Sequence, residues 1–90
     1  MNEEELIPYK KLYSEVIKLA ITDIRKYLRR TKYRGDELPD PYFINNSNVR
    51  EAIQFLDKEN THYKWMCDIL DIRYEQPIEA ALNWRKPNGN

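Results

Sequence analysis

Between Tyr13 and Thr31 the chain repeats an apolar pattern at positions 13, 17, 20, 24 and 27 that ends at 31. The spacing is 4-3-4-3-4. An α-helix, advancing 100° per residue, gathers such a set onto one face, whereas a strand would scatter it over two. Tyr13, Ile17, Ala20, Ile24, Tyr27 and Leu28 form that face, with Val16 and Ile21 at its edges. The pattern predicts a helix from about Pro8 to Lys32. Pro8 suits its first position, and Glu3, Glu4 and Glu5 suit the positive end of its dipole. The same spacing fits a short coiled-coil seam. It covers under three heptads, however, so the expected reading is a face packed on its own domain.

The rest of the chain follows suit. There are only two glycines, Gly35 and Gly89, and no long apolar–polar alternation, so strands and hairpins are not expected. Gly35 is expected to stop the first helix, and Pro39 and Pro41 to keep it from resuming. Residues 33–47 then form an ordered loop, because Leu38, Tyr42, Phe43 and Ile44 are too apolar for a free tether. A second helix is expected from Asn48, with Glu51 completing a capping box and Val49, Ala52, Ile53 and Leu56 inward. A third follows Asn60 or Thr61 and carries Tyr63, Trp65, Met66, Ile69, Leu70 and Ile72 over more than half its circumference, as a central helix would. A fourth starts at Pro77 with Ile78, Ala81 and Leu82 inward and Trp84 off that face. The expectation is an all-α chain: one helical domain over residues 1–90, a compact bundle of about four helices with a long first helix. Residues 1–7 and 87–90 are expected to fray.

Several function classes fall away on composition. A hydrophobic fraction of 41% is enough to fold, so global disorder is not expected. Cys67 is the only cysteine, which excludes an internal disulfide and makes a reducing compartment the simpler reading. Lone His62 and lone Cys67 do not make a zinc ligand set. No residue forms a nucleophile–base pair by spacing, and Cys67 reads as a packing thiol, so neither an enzyme nor a cofactor is expected. No apolar run approaches the ~20 residues of a membrane span, and the acidic start is unlike a signal peptide. The expected home is the cytoplasm.

Charge carries the remaining signal. The formal net charge is zero, but residues 1–34 hold nine Lys/Arg and five Asp/Glu, net +4, and residues 35–90 hold six and ten, net −4. Lys11, Lys18, Arg25, Arg29 and Lys32 fall within an arc of about 60° on the first helix. The arc is expected to lie opposite the apolar face. It reads either as an anion-binding surface or as the solvated side of a helix. Residues 9–32 span about 36 Å, close to one turn of duplex DNA. Residues 25–34 hold six bases and no acid, with Tyr33 available to stack on a base. The oppositely charged halves also make antiparallel or head-to-tail self-association, and hence a homodimer, an expectation.

The third and fourth helices read as a helix-turn-helix-like pair, with Asp71 at the turn position that glycine usually fills. Three blocks carry a resemblance: residues 15–24 (Glu-Val-Ile-Lys-Leu-Ala-Ile-Thr-Asp-Ile), 52–56 (Ala-Ile-Gln-Phe-Leu) and 63–72 (Tyr-Lys-Trp-Met-Cys-Asp-Ile-Leu-Asp-Ile). Together they resemble a group of small bacteriophage and prophage helical proteins with a helix-turn-helix-like C-terminal half. The resemblance covers roughly residues 15–84 and rests mostly on core positions. It implies a phage-encoded helical protein in a bacterial host, of the transcription-regulator kind, and supplies no catalytic residues. Glu75 and Glu79 make the fourth helix a poor reader of bases, leaving Arg73, Asn83, Arg85 and Lys86 as its obvious contacts. The nucleic-acid candidates are therefore Lys11, Lys18, Arg25, Arg29, Lys32, Arg73, Arg85 and Lys86, with double-stranded DNA as partner. The alternative is an adaptor or inhibitor that binds a host or phage protein through Trp84, Tyr42 and Phe43.

Overall fold

A computed structural model describes residues 3–85, with their side chains from residue 9 onward. Four α-helices and one short 3-10 turn make up the described chain: α1 (Glu3–Thr31), the 3-10 turn (Pro41–Phe43), α2 (Ser47–Phe55), α3 (Thr61–Leu70) and α4 (Glu75–Leu82). The expected fraying of 87–90 and the expected contact by Lys86 lie outside the described residues, as do residues 1 and 2.

α1 is the hub. It packs on α2, α3 and α4, while those three meet one another far less. The central role expected of α3 therefore belongs to α1, whose 29 residues run the 44 Å length of the molecule. Its inward line is the one the sequence spells out. Ile17, Ala20, Ile24 and Leu28 are buried, and Tyr13, Ile21 and Tyr27 are half-buried against the same core. The seam packs on its own domain, joined by Val49, Ala52, Ile53 and Leu56 from α2, Tyr63, Met66 and Cys67 from α3, and Ala81 from α4.

The ends of the helices differ in detail from the sequence reading. α1 starts ahead of Pro8, at Glu3, and closes before Gly35. Lys32 takes the left-handed conformation, φ 54°, and the Tyr33 N–H donates to the Leu28 carbonyl at 3.0 Å. That six-to-one bond is a Schellman closure made without glycine. Gly35 matters for space instead: a Cβ there would collide with the Tyr33 ring, whose hydroxyl donates to the Glu37 carbonyl at 2.6 Å. α2 is capped by Asn46, not Asn48. The Asn46 side chain accepts from the Asn48 and Val49 N–H groups, at 3.0 and 3.2 Å. Asn60 caps α3 in the same way. α4 begins two residues before Pro77, which is buried in its first turn, where no helical N–H partner is needed.

The loop before α2 packs through alternate residues. Ile44 is buried and Leu38 half-buried, and Arg50 Nη1 donates to the Ile44 carbonyl at 3.2 Å. Tyr42 and Phe43 stay outside, because the 3-10 turn, started by Asp40 Oδ1 accepting from the Tyr42 N–H at 2.9 Å, points them away from the core.

α3 and α4 follow one another through residues 71–74 and pack chiefly on α1 rather than on each other. Asp71 supplies the left-handed turn residue, φ 57°, and the Ile72 N–H donates to the Cys67 carbonyl at 3.0 Å. An aspartate does here what glycine does more cheaply. The buried Tyr63 hydroxyl donates to the Tyr74 carbonyl and ties α3 to the start of α4. Phe55 meets the Tyr63 ring edge-on at 5.4 Å. Burial pushes both the Tyr63 phenol and the Cys67 thiol up from their ordinary values.

Candidate nucleic-acid and partner surfaces

The basic stripe is not opposite the core. On a regular helix its centre lies only about 100° from that of the buried face. Ser14 and Ile21, between the two, are half-buried. The expectation treated Ile21 as an edge of the apolar face; α4 covers that edge and brings the boundary of the core up to the bases. An open groove of about 370 Å³ follows this boundary, with Lys18 and Ile21 on one wall and Gln76, Pro77 and Ala80 on the other.

This placement divides the stripe. Arg25 is half-buried, and its Nη2 donates to the Asn83 carbonyl at 3.5 Å. A cation against the last carbonyls of a helix is favoured by the helix dipole, so Arg25 also serves as a clasp on α4. Lys11, Lys18, Arg29 and Lys32 are exposed. The Arg25 clasp carries a consequence for the C-terminal candidates: it brings the end of α4, with exposed Arg85 two residues beyond Asn83, to the basic end of α1. Arg73 stands apart. It precedes α4, at the far end of that helix from Asn83, and its N–H is bound to Gln76 Oε1 at 2.8 Å.

α4 separates charges of opposite sign. On its other side lies a groove of about 650 Å³ with a floor that includes Leu56, Ile78 and Leu82 and a rim of Asp36, Glu37, Asp40, Asp57, Glu75 and Glu79, against Lys58 as its only base. The exposed positions of α4 itself are Gln76 and Glu79, neither of them basic. A polyanion is repelled from the acidic rim, so its approach is from the α1 side.

The partner-binding candidates also divide. Tyr42 and Phe43 are 84% and 77% exposed, their rings edge-to-face at 5.2 Å. Trp84, expected on the surface, is half-buried against the core with the Arg85 guanidinium 5.8 Å from its ring centre. The indole turns inward because the turn that ends α4 folds it back beside the bundle.

A surface the sequence reading passed over lies on the outer side of α1. Leu12 is 56% exposed and Leu19 63%, with Tyr9 and Val16 also exposed between and before them. Trp65, expected in the core, is 49% exposed and meets Tyr13 edge-on at 5.5 Å. The signal was available: 9, 12, 16 and 19 are spaced 3-4-3, a second helical line about 100° from the first.

Among the described residues no group of three or more His, Cys, Asp or Glu is placed to hold a metal ion, and no helix is long and apolar enough to cross a membrane. No protein-family model, curated protein or solved structure matches the chain.

Proposed function

We propose that this is a small non-enzymatic DNA-binding protein of the phage regulatory type, holding the sugar-phosphate backbone with the basic flank of α1 and the end of α4. The observation that carries the reading is the Arg25–Asn83 contact, which holds the end of α4, two residues before Arg85, against the basic flank of α1. Lys11, Lys18 and Arg29 extend that surface along α1, and their side chains make no ion pair among the described residues. From Lys11 to Lys32 the helix rises about 32 Å, nearly one duplex turn. The acidic groove beyond α4 keeps the duplex on the α1 side. With the exposed face of α4 lacking bases, sequence selectivity rests on backbone shape more than on base edges.

The test is fluorescence anisotropy of labelled duplex across a salt series. Three to four phosphate contacts give a log–log slope of about −3. Lys11→Glu with Arg29→Glu weakens binding to all sequences alike and leaves the fold intact, since neither side chain holds another element. Absence of binding to duplex or single strands at low salt overturns the reading.

One observation favours a second reading, an adaptor or inhibitor that grips a protein. Tyr42 and Phe43 form a bare aromatic pair, the side-chain type that anchors interfaces. An interaction that survives reversal at Lys11 and Arg29 but is lost on Tyr42→Ser with Phe43→Ser belongs to that reading.

A further inference from the structure

We infer that the outer line of α1 is a dimer interface, and that its partner is a second copy of this chain running antiparallel. Leu12, Val16 and Leu19 stand exposed on one side of a continuous helix, with Tyr9 before them and Trp65 of α3 beside them. Contiguous large apolar side chains on a small domain mark a surface that is covered in use. The 3-4-3 spacing is that of the a and d positions of a coiled coil. What covers it is written in the continuation of the same line.

Past Leu19 the line runs through Asp23, which is half-buried, and through Lys26 and Arg30, which are exposed. A parallel pair would set Asp23 against Asp23, Lys26 against Lys26 and Arg30 against Arg30. Like charges facing one another across a seam oppose pairing. An antiparallel pair removes all three clashes. With Val16 of one copy over Leu19 of the other, Leu12 falls across from Asp23, and Tyr9 falls beside Lys26, where a cation–π contact can form. The turn that opens on Glu3, Glu4 and Glu5 falls beside Arg30. The unequal charge of the two ends of α1 thus becomes a specification of direction.

Size requires pairing along the whole helix. Residues 9–19 cover only about 15 Å of axis. That is short for the ~800 Å² per partner of a standard interface. The charged ends must contribute, so the dimer is salt-sensitive and of modest affinity. The basic flank of Lys11, Lys18 and Arg29 lies to one side of this line and remains free for the function proposed above.

The orientation is tested with cysteine pairs on the full chain. Tyr9→Cys and Lys26→Cys proteins are prepared separately, oxidised alone and mixed. Cys67 is buried and does not compete. The expected result is a disulfide-linked species in the mixture and little in either protein alone. Cross-linking of each variant with itself and none in the mixture overturns the antiparallel assignment. Light scattering of the wild type tests the association itself: a dimer at high concentration is expected, and a monomer up to millimolar concentration overturns the proposal. Val16→Lys with Leu19→Lys, which sets lysines against one another across the pair, raises the dissociation constant more than about tenfold. A dimer that tolerates both changes, in a protein of unchanged helicity, lies elsewhere on the surface and overturns it as well.

Discussion

Two apolar lines run along α1 with nearly the same spacing and opposite fates. The inner line, Ile17, Ala20, Ile24 and Leu28, is buried by three other helices; the outer line, Tyr9, Leu12, Val16 and Leu19, is bare. Local pattern does not distinguish them, since each is a 3-4 repeat on a good helix. The difference is what the remainder of the chain can reach. α2, α3 and α4 together offer one apolar face each, enough to cover one side of a helix that runs the length of the molecule. A single long helix in a 90-residue chain has more surface than its own domain can cover, and the surplus is where binding is sought.

The contrast breaks most easily by truncation. Ile24→Ala deletes a side chain with no exposure and is expected to cost about 2–5 kcal/mol in chemical denaturation. Leu12→Ala, on the same helix and of the same chemistry, is expected to change monomer stability by less than about 0.5 kcal/mol. Comparable losses at both positions would mean that the outer line is covered within the monomer.

The inner side has a second, smaller dependence. Tyr63→Phe keeps the ring against Phe55 but removes the hydroxyl bound to the Tyr74 carbonyl, and is expected to cost about 1 kcal/mol at neutral pH. Its pH signature is more specific. Tyr63 and Cys67 are both held protonated by burial, so the folded state keeps protons that the unfolded state releases. The stability tied to the neutral forms is complete below the unfolded values of about 9 and 10 and falls as pH rises beyond them. Urea midpoints are expected to hold through neutrality and drop above about pH 9, with Tyr63→Phe flattening the upper part of the fall.

The smallest effect is at the end of α1. Lys32→Gly relieves a left-handed lysine and is expected to stabilise the monomer by about 0.5 kcal/mol, read from the same denaturation curves. It also removes a base from the proposed DNA surface, so stability and DNA affinity should move in opposite directions.

The sequence reading and the structure part in two ways: where a residue takes a backbone conformation it disfavours, and where distant residues decide. The four helices, the inner line and the Asn60 cap are all legible, because each depends on residues within a few positions. The terminator of α1 was not, since Lys32 is poor left-handed material and only the Schellman bond to Leu28 holds it there. Nor was the side of α1 on which the bases lie. Their arc is readable, but α4 docks against Ile21 and turns what reads as a solvent face into the flank of a groove. Trp65 and Trp84 exchanged their expected places for the same reason: a helical angle does not say how far the neighbouring helix extends.

Sedimentation equilibrium of the wild type beside Val16→Lys with Leu19→Lys, each checked for helicity by circular dichroism, tests the two-line account most directly. The account predicts a reversible monomer–dimer mass for the wild type and a monomer of unchanged helicity for the double variant. A wild type that stays monomeric at every concentration, or a double variant that loses its fold, contradicts it.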